Sequence, residues 1–347
     1  MPEQSFELLL NISAIHSAVI AELKATASRV GLGDNFSHIQ WKEGCEMASE
    51  SELIAALSEV FSLSDPNLIV GIGDDGAVVK ASAKNLVAAT DMAVEGVHFK
   101  RNWSNLFEIG GKVTAANLAD IYAMGGTPKY LLVSAGLTPD FGISEITELA
   151  MGIASEAALV GASVIGGDIS KADQLVISIS VFGEVEKPIT RAGAKIGDQV
   201  IISGLPGRSA AGLFQLENGE SDSKFIQAHK KPTLDYRLAE AFRNVNSMCD
   251  VSDGLLSELS HLAAASEVGI EIDSKMIESL PEFKELAELD KSQVWKWVLG
   301  GGEDHVFVAT TSSNLPADAI VIGKVVAGSK VSVIGIPDLP TIGFRHF

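Results

Sequence analysis

Aspartate beside glycine recurs along this sequence, and each pairing puts hard oxygen ligands on a tight turn. Gly71-Ile72-Gly73-Asp74-Asp75-Gly76 satisfies G-x-G-x-x-G, but two aspartates occupy the turn and β-like sequence follows, where a dinucleotide fingerprint would open a helix. Carboxylates repel phosphate, so the loop reads either as a cation-holding turn or as an ordinary Asp-rich β-turn. Thr90-Asp91 ends a strand-like run and leads into Glu95-Gly96-Val97-His98-Phe99, a set of oxygens that suits Mg²⁺. Between Gly110 and Gly126, Asn117 and Asp120 fall on one side of a helical stretch. A carboxylate among so many alanines needs a partner, either a cation or Lys112. Gly166-Gly167-Asp168, Asp250-Val251-Ser252-Asp253-Gly254 and Gly300-Gly301-Gly302-Glu303-Asp304-His305 complete the series; Asp253 could equally be a helix N-cap. Walker, G-x-S-x-G, H-E-x-x-H and Cys/His zinc patterns are absent. So many hard ligands without soft ones best suit several Mg²⁺ ions holding a polyphosphate, and hence nucleotide-dependent phosphoryl transfer.

These loops need a scaffold of alternating strands and helices. From Leu68 onward, short β-branched runs such as LIVGIG, LVAAT, YLLVSAGL, LVISISVFGEV and QVIISG alternate with longer helical stretches, which predicts a mixed α/β fold. The polar segment EKPITRAGAKIGD, residues 186–198, lies between two strand-like runs and marks a domain boundary. Upstream, Leu8, Leu9, Ile12, Ile15, Val19 and Leu23 recur at helical spacing, and MASESELIAALSEVF from Met47 predicts an amphipathic helix through Phe61 capped by Ser49 or Ser51. The expected division is an extension over 1–48, an N-terminal domain over 49–188 and a C-terminal domain over 189–347.

Length and composition agree. At 347 residues with 46% hydrophobic and 20% charged residues, the chain fits two globular domains. A net charge of −19 argues against nucleic acid or an anionic membrane surface as partner. Two cysteines suit a reducing compartment, and with neither a membrane-length apolar run nor a secretory signal pattern, the expectation is a soluble cytoplasmic protein.

Taken in order, GIGDDGAVV, TDMAVEGVHF, KVTAANLADIYAMGGTP, GGDIS, ITRAGAKIGD, DVSDGLLSEL and LGGGEDHVF resemble the thiamine-monophosphate kinases of the AIR-synthetase-like ATP-binding superfamily. The resemblance runs from about Ser51 to Phe347. It implies two related α/β domains, a homodimer joined through the N-terminal ones, and transfer of the ATP γ-phosphate to thiamine monophosphate with Mg²⁺ and, in some members, K⁺. Carried over residue by residue, it implies Asp75, Thr90, Asp91, Asp120, Asp168, Asp250 and Asp253 as metal ligands. It implies Gly167, Asp168, Arg191 and Ser252 as ATP contacts, and His98, Glu303 and Phe344 as substrate contacts. Three positions depart from the pattern: Ala89 stands where Ser is frequent, Met151 where an aromatic faces adenine, and His305 where Tyr follows the acids. The alternatives are a sister enzyme, such as selenophosphate synthetase or AIR synthetase, and a catalytically silent metal- or nucleotide-binding protein.

Overall fold

The computed structural model describes residues 50–61, 65–72, 77–312 and 315–336. Asp75, Phe344 and the helical pattern upstream of Glu50 lie outside the described residues. Helix α1 (Glu50–Val60) buries Leu53 and Val60 and packs on α3 (Ile143–Ala158). Leu53, Leu57 and Val60 stand at i, i+4 and i+7, the spacing that makes one apolar stripe.

Strands β1 (Leu68–Val70) and β2 (Val78–Val79) pair antiparallel on either side of the Asp-rich loop. A four-stranded sheet follows, built from β3 (Asn85–Val94), β4 (Thr127–Leu137), β5 (Ser163–Lys171) and β6 (Val176–Val185). Its order is β3-β6-β4-β5, antiparallel except for β4 with β5. In β6 the odd-numbered residues 177–185 are buried and the even-numbered ones half-buried, so one face alone is covered. The cover is α2 (Leu106–Ala123). This helix begins at a capping box, with the Glu108 amide donating to Asn105 Oδ1 at 2.7 Å and the Asn105 amide to Glu108 Oε2 at 2.9 Å. It is buried nearly all round, because the sheet lies on one side and the second domain on the other. The uncovered sheet face leaves Leu86 73% and Met92 59% exposed.

The second sheet has six strands in the order β12-β9-β11-β7-β10-β8. They are β7 (Gln199–Ile202), β8 (Ser247–Asp250), β9 (Gly269–Asp273), β10 (Phe307–Thr311), β11 (Ile320–Val326) and β12 (Val331–Ile334). β8 and β10 are buried at every position, and their buried hydroxyls Ser247 and Thr310 hydrogen-bond each other at 2.8 Å. The segment 186–198 connects β6 to β7, and each sheet has its own core, around Ile109, Leu131 and Ile177 in one and Ile202, Leu259 and Val308 in the other.

Side chains from 231–243 fasten the two halves together. Lys231 Nζ lies 2.7 Å from Glu156 Oε2, Tyr236 Oη donates to Glu156 Oε1, and an Arg243 nitrogen donates to Thr127 Oγ1 at 2.7 Å. Glu156 is 2% exposed. Removing Lys231 would strand the buried Glu156 charge, which costs about 3–5 kcal/mol, whereas removing Tyr236 loses one hydrogen bond to a group still held by Lys231.

Candidate active site

A cavity of about 990 Å³ opens between the two halves, and the acidic motifs converge on it from four directions. Thr90 and Asp91 arrive from within β3, which runs on to Val94 and does not end at Asp91 as its sequence suggested, and Asp120 arrives from one face of α2. Asp250 ends β8, and Ser252 and Asp253 follow in the loop before α7 (Leu255–Ser266). His98 and Glu303 line the same space. Asn117 holds this corner together, its Oδ1 accepting from the Asp91 amide at 3.0 Å while its Nδ2 donates to the Val113 carbonyl.

The crowding shows in the titration of the carboxyls. Asp120 is raised to about 8, by burial first and then by the negative charges of Asp250 and Asp91. Asp91 is raised by desolvation and by Asp250, against an opposing pull from His305. Imidazole Nδ1 of His305 lies 3.0 Å from Asp250 Oδ2, and both residues are buried. Burial works against a charged His305, but the Asp250 hydrogen bond and charge hold its pKa above the ordinary value.

Two loops meet backbone to backbone beneath these side chains. The Glu303 amide donates to the Ser252 carbonyl at 2.8 Å and the His305 amide to the Val251 carbonyl at 3.1 Å. A Cβ on Gly302 would fall well inside contact distance of the Ser252 carbonyl oxygen. The glycine run thus permits the two loops to pack closely. Glu303 and His305 sit at φ +62° and +51°, left-handed conformations that cost about 1–3 kcal/mol each and concentrate at functional sites.

Other assignments from the sequence fall outside this cavity or change partner. Gly167 and Asp168 lie on β5, the edge of the sheet opposite β3, in register through Ser134 and Ser178 with Met92. Three strand spacings, about 14 Å, separate them from the Asp91 edge, so one chain does not bring Asp168 to the other carboxylates. Arg191 is exposed beside the C-terminal unit, 3.5 Å from buried Glu258. The N-cap of α7 is Gly254, at φ +106°, with no side-chain capping bond, so Asp253 is not that helix's cap. Met151 packs against the N-terminal core.

Lys112 does not pair with Asp120; its Nζ crosses to Glu303 Oε2 at 2.9 Å and donates to the His229 carbonyl at 3.1 Å. Burial alone would raise Glu303, but Lys112 holds it below the usual carboxylate range. His229 is pushed down to about 4 by burial and by Lys112, and its Nδ1 meets Ser209 Oγ at 3.0 Å. His229 and Ser209 belong to none of the motifs, whereas Asn117 and Lys112 stand beside Asp120 in the sequence reading of α2. Lys112, Ala116 and Asp120 follow one another at i, i+4 and i+8, one stripe of α2 facing the cavity.

Fold and site define a two-domain α/β protein with a carboxylate-lined cleft between its domains. The model for AIR synthase related protein matches its N-terminal domain over residues 73–185 and its C-terminal domain over 195–336. Thiamine-monophosphate kinase from Mycobacterium tuberculosis H37Rv is 34% identical over 317 residues, covering 87% of this chain and 95% of the relative. The Bacillus subtilis enzyme is 41% identical over 259 residues, covering 70% and 78%. The structure of AaThiL complexed with AMPPCP and TMP superposes with a TM-score of 0.72 at 32% identity, covering 89% of this chain and all of that one. The chain belongs to the thiamine-monophosphate kinase family of AIR synthase related proteins.

Proposed function

We propose that the cleft transfers the γ-phosphate of ATP to thiamine monophosphate, giving thiamine diphosphate and ADP. A terminal phosphate oxygen of the monophosphate attacks the γ-phosphorus in line, and the bond from that phosphorus to the β,γ-bridging oxygen breaks. No general base is required, because a phosphate monoester with a second pKa near 6 is already largely ionised at neutral pH. The observation that carries this reading is the convergence of Asp91, Asp120, Asp250 and Asp253 on one cavity between the domains.

This donor set fits divalent cations: it is all oxygen, and burial first, then the neighbouring negative charges, hold Asp91 and Asp120 above their ordinary pKa. Among the described residues no three acidic, His or Cys side chains already converge on one point. Mg²⁺ in nucleotide sites takes only one or two carboxylates, with waters and phosphate oxygens supplying the rest. Asp75, Thr90, Asp91, Asp120, Asp250 and Asp253 are the residues assigned to it, and bound there it neutralises phosphate charge and lowers carboxylate repulsion. Ser252 and Arg191 are assigned to ATP, and His98, Glu303 and Phe344 to the thiamine moiety.

The open sheet face with Leu86 and Met92 is assigned to a homodimer, and a second copy is the route by which Gly167 and Asp168 could reach a neighbouring cleft. The test offers ATP and Mg²⁺ with thiamine monophosphate, free thiamine, selenide and formylglycinamidine ribonucleotide in parallel, resolving products by chromatography. Thiamine diphosphate forming from the monophosphate alone, and not in the presence of chelator, supports the reading. ADP formed only with another acceptor moves the protein to a sister family, and no turnover at all favours a silent binding protein.

A further inference from the structure

Trp103 lines the cleft but belongs to none of the acidic motifs. Its indole is half-buried and lies outside both hydrophobic cores. Lys100 Nζ stands 4.0 Å from the ring centroid. On another side the indole meets His229 edge-on, with centroids 6.4 Å apart and planes at 69°, and His229 Nδ1 lies 3.7 Å from Glu303 Oε2. An indole face carries negative quadrupole density and is the best of the aromatic surfaces for a cation. The chain thus sets one of its own ammonium groups on an aromatic face beside its cavity, close to a carboxylate already held by Lys112.

We propose that Trp103 is a specificity-determining residue that stacks the positively charged thiazolium ring of the substrate, with Lys100 standing in for that cation until it arrives. The inference rests on the phosphotransfer reading of the cleft. An incoming cationic ring exchanges one cation on the indole for another, while a neutral ring would have to displace Lys100 with no charge to replace it. Discrimination between charged and uncharged thiamine analogues follows from that exchange.

The test is calorimetric binding of thiamine monophosphate, of a neutral analogue lacking the thiazolium charge, and of the nucleotide analogue AMPPCP, run beside turnover assays. Trp103→Ala is expected to weaken binding of the monophosphate about fivefold to thirtyfold, with AMPPCP and the neutral analogue shifted less than about twofold. Trp103→Phe should lose less, and Lys100→Met should tighten the monophosphate severalfold. Unchanged binding of the monophosphate to Trp103→Ala overturns the proposal, as does an equal loss for the neutral analogue or a loosening in Lys100→Met. Binding is read without turnover, so a wild-type protein that binds the monophosphate through Trp103 without phosphorylating it would remove the phosphotransfer reading and leave the stack standing.

Discussion

Lys112 and Glu303 meet across the two domains at 2.9 Å, with 7% and 33% of their side chains exposed. At an effective dielectric of about 20, unit charges at that separation attract by roughly 6 kcal/mol, offset by several kcal/mol of desolvation for each ion. The net worth of the pair is therefore small, whereas the cost of orphaning either partner is not. Lys112→Met should destabilise the protein by about 3 kcal/mol, because Glu303 is left without its ammonium. Glu303→Gln should cost about 2 kcal/mol, because Lys112 keeps the His229 carbonyl and a polar amide. Combined, the two substitutions should cost far less than their sum, a coupling of about 2 kcal/mol. Urea unfolding followed by tryptophan fluorescence and far-UV circular dichroism at pH 7.5 measures all three variants. Additive costs, with coupling below about 0.5 kcal/mol, would refute the claim that this pair joins the domains. The pH dependence has a definite sign. Glu303 is held below its ordinary pKa in the folded protein, so its contribution is present above about pH 4.5 and is lost as pH falls through the folded value. The advantage of wild type over Lys112→Met should shrink over that range.

Asp120→Asn is expected to abolish turnover and the Mg²⁺-dependent rise in Tm while leaving the circular dichroism spectrum intact; near-normal activity would remove Asp120 from the metal set. Asp304 is buried and accepts from the Gly207 and Ser209 amides, at 2.7 and 3.0 Å, and burial raises its pKa from 3.8 to about 6. A folded-state pKa above the unfolded one means that stability falls as pH rises between those values, here by about 3 kcal/mol at most. Asp304→Asn should flatten that part of the curve from pH 4 to 6.5, and an unchanged slope would count against the assignment. Leu86→Glu places a charge on the open sheet face, and light scattering should show a shift from dimer to monomer; an unaltered mass would put any dimer elsewhere.

Much of the fold is legible because its signals are local. Glu108 three residues after Asn105, and the β-branched runs of β6, β7 and β11, announce helix and strand from neighbouring residues alone. The connection over 186–198 shows itself by polarity, Pro188 and Gly193. Partner choice is less legible. Lys112 and Asp120 are eight residues apart on one helix face, yet Lys112 pairs with Glu303, 191 positions away, because the second domain brings that carboxylate within 2.9 Å. The glycine run at 300–302 reads as flexibility until the Ser252 backbone is seen packed against it.

The sequence by itself determined which donors exist and on which elements they ride: aspartates on strands, on one stripe of a helix, and in glycine turns. Only the tertiary structure decided which of them share a space. Strand order put Asp91 and Asp168 on opposite edges of one sheet, and domain packing brought Asp250 and Asp253 to the cavity that Asp120 lines. Periodicity is set by bonds between near neighbours, whereas these distances depend on which apolar faces bury one another across a hundred residues or more, and nothing in local spacing encodes that.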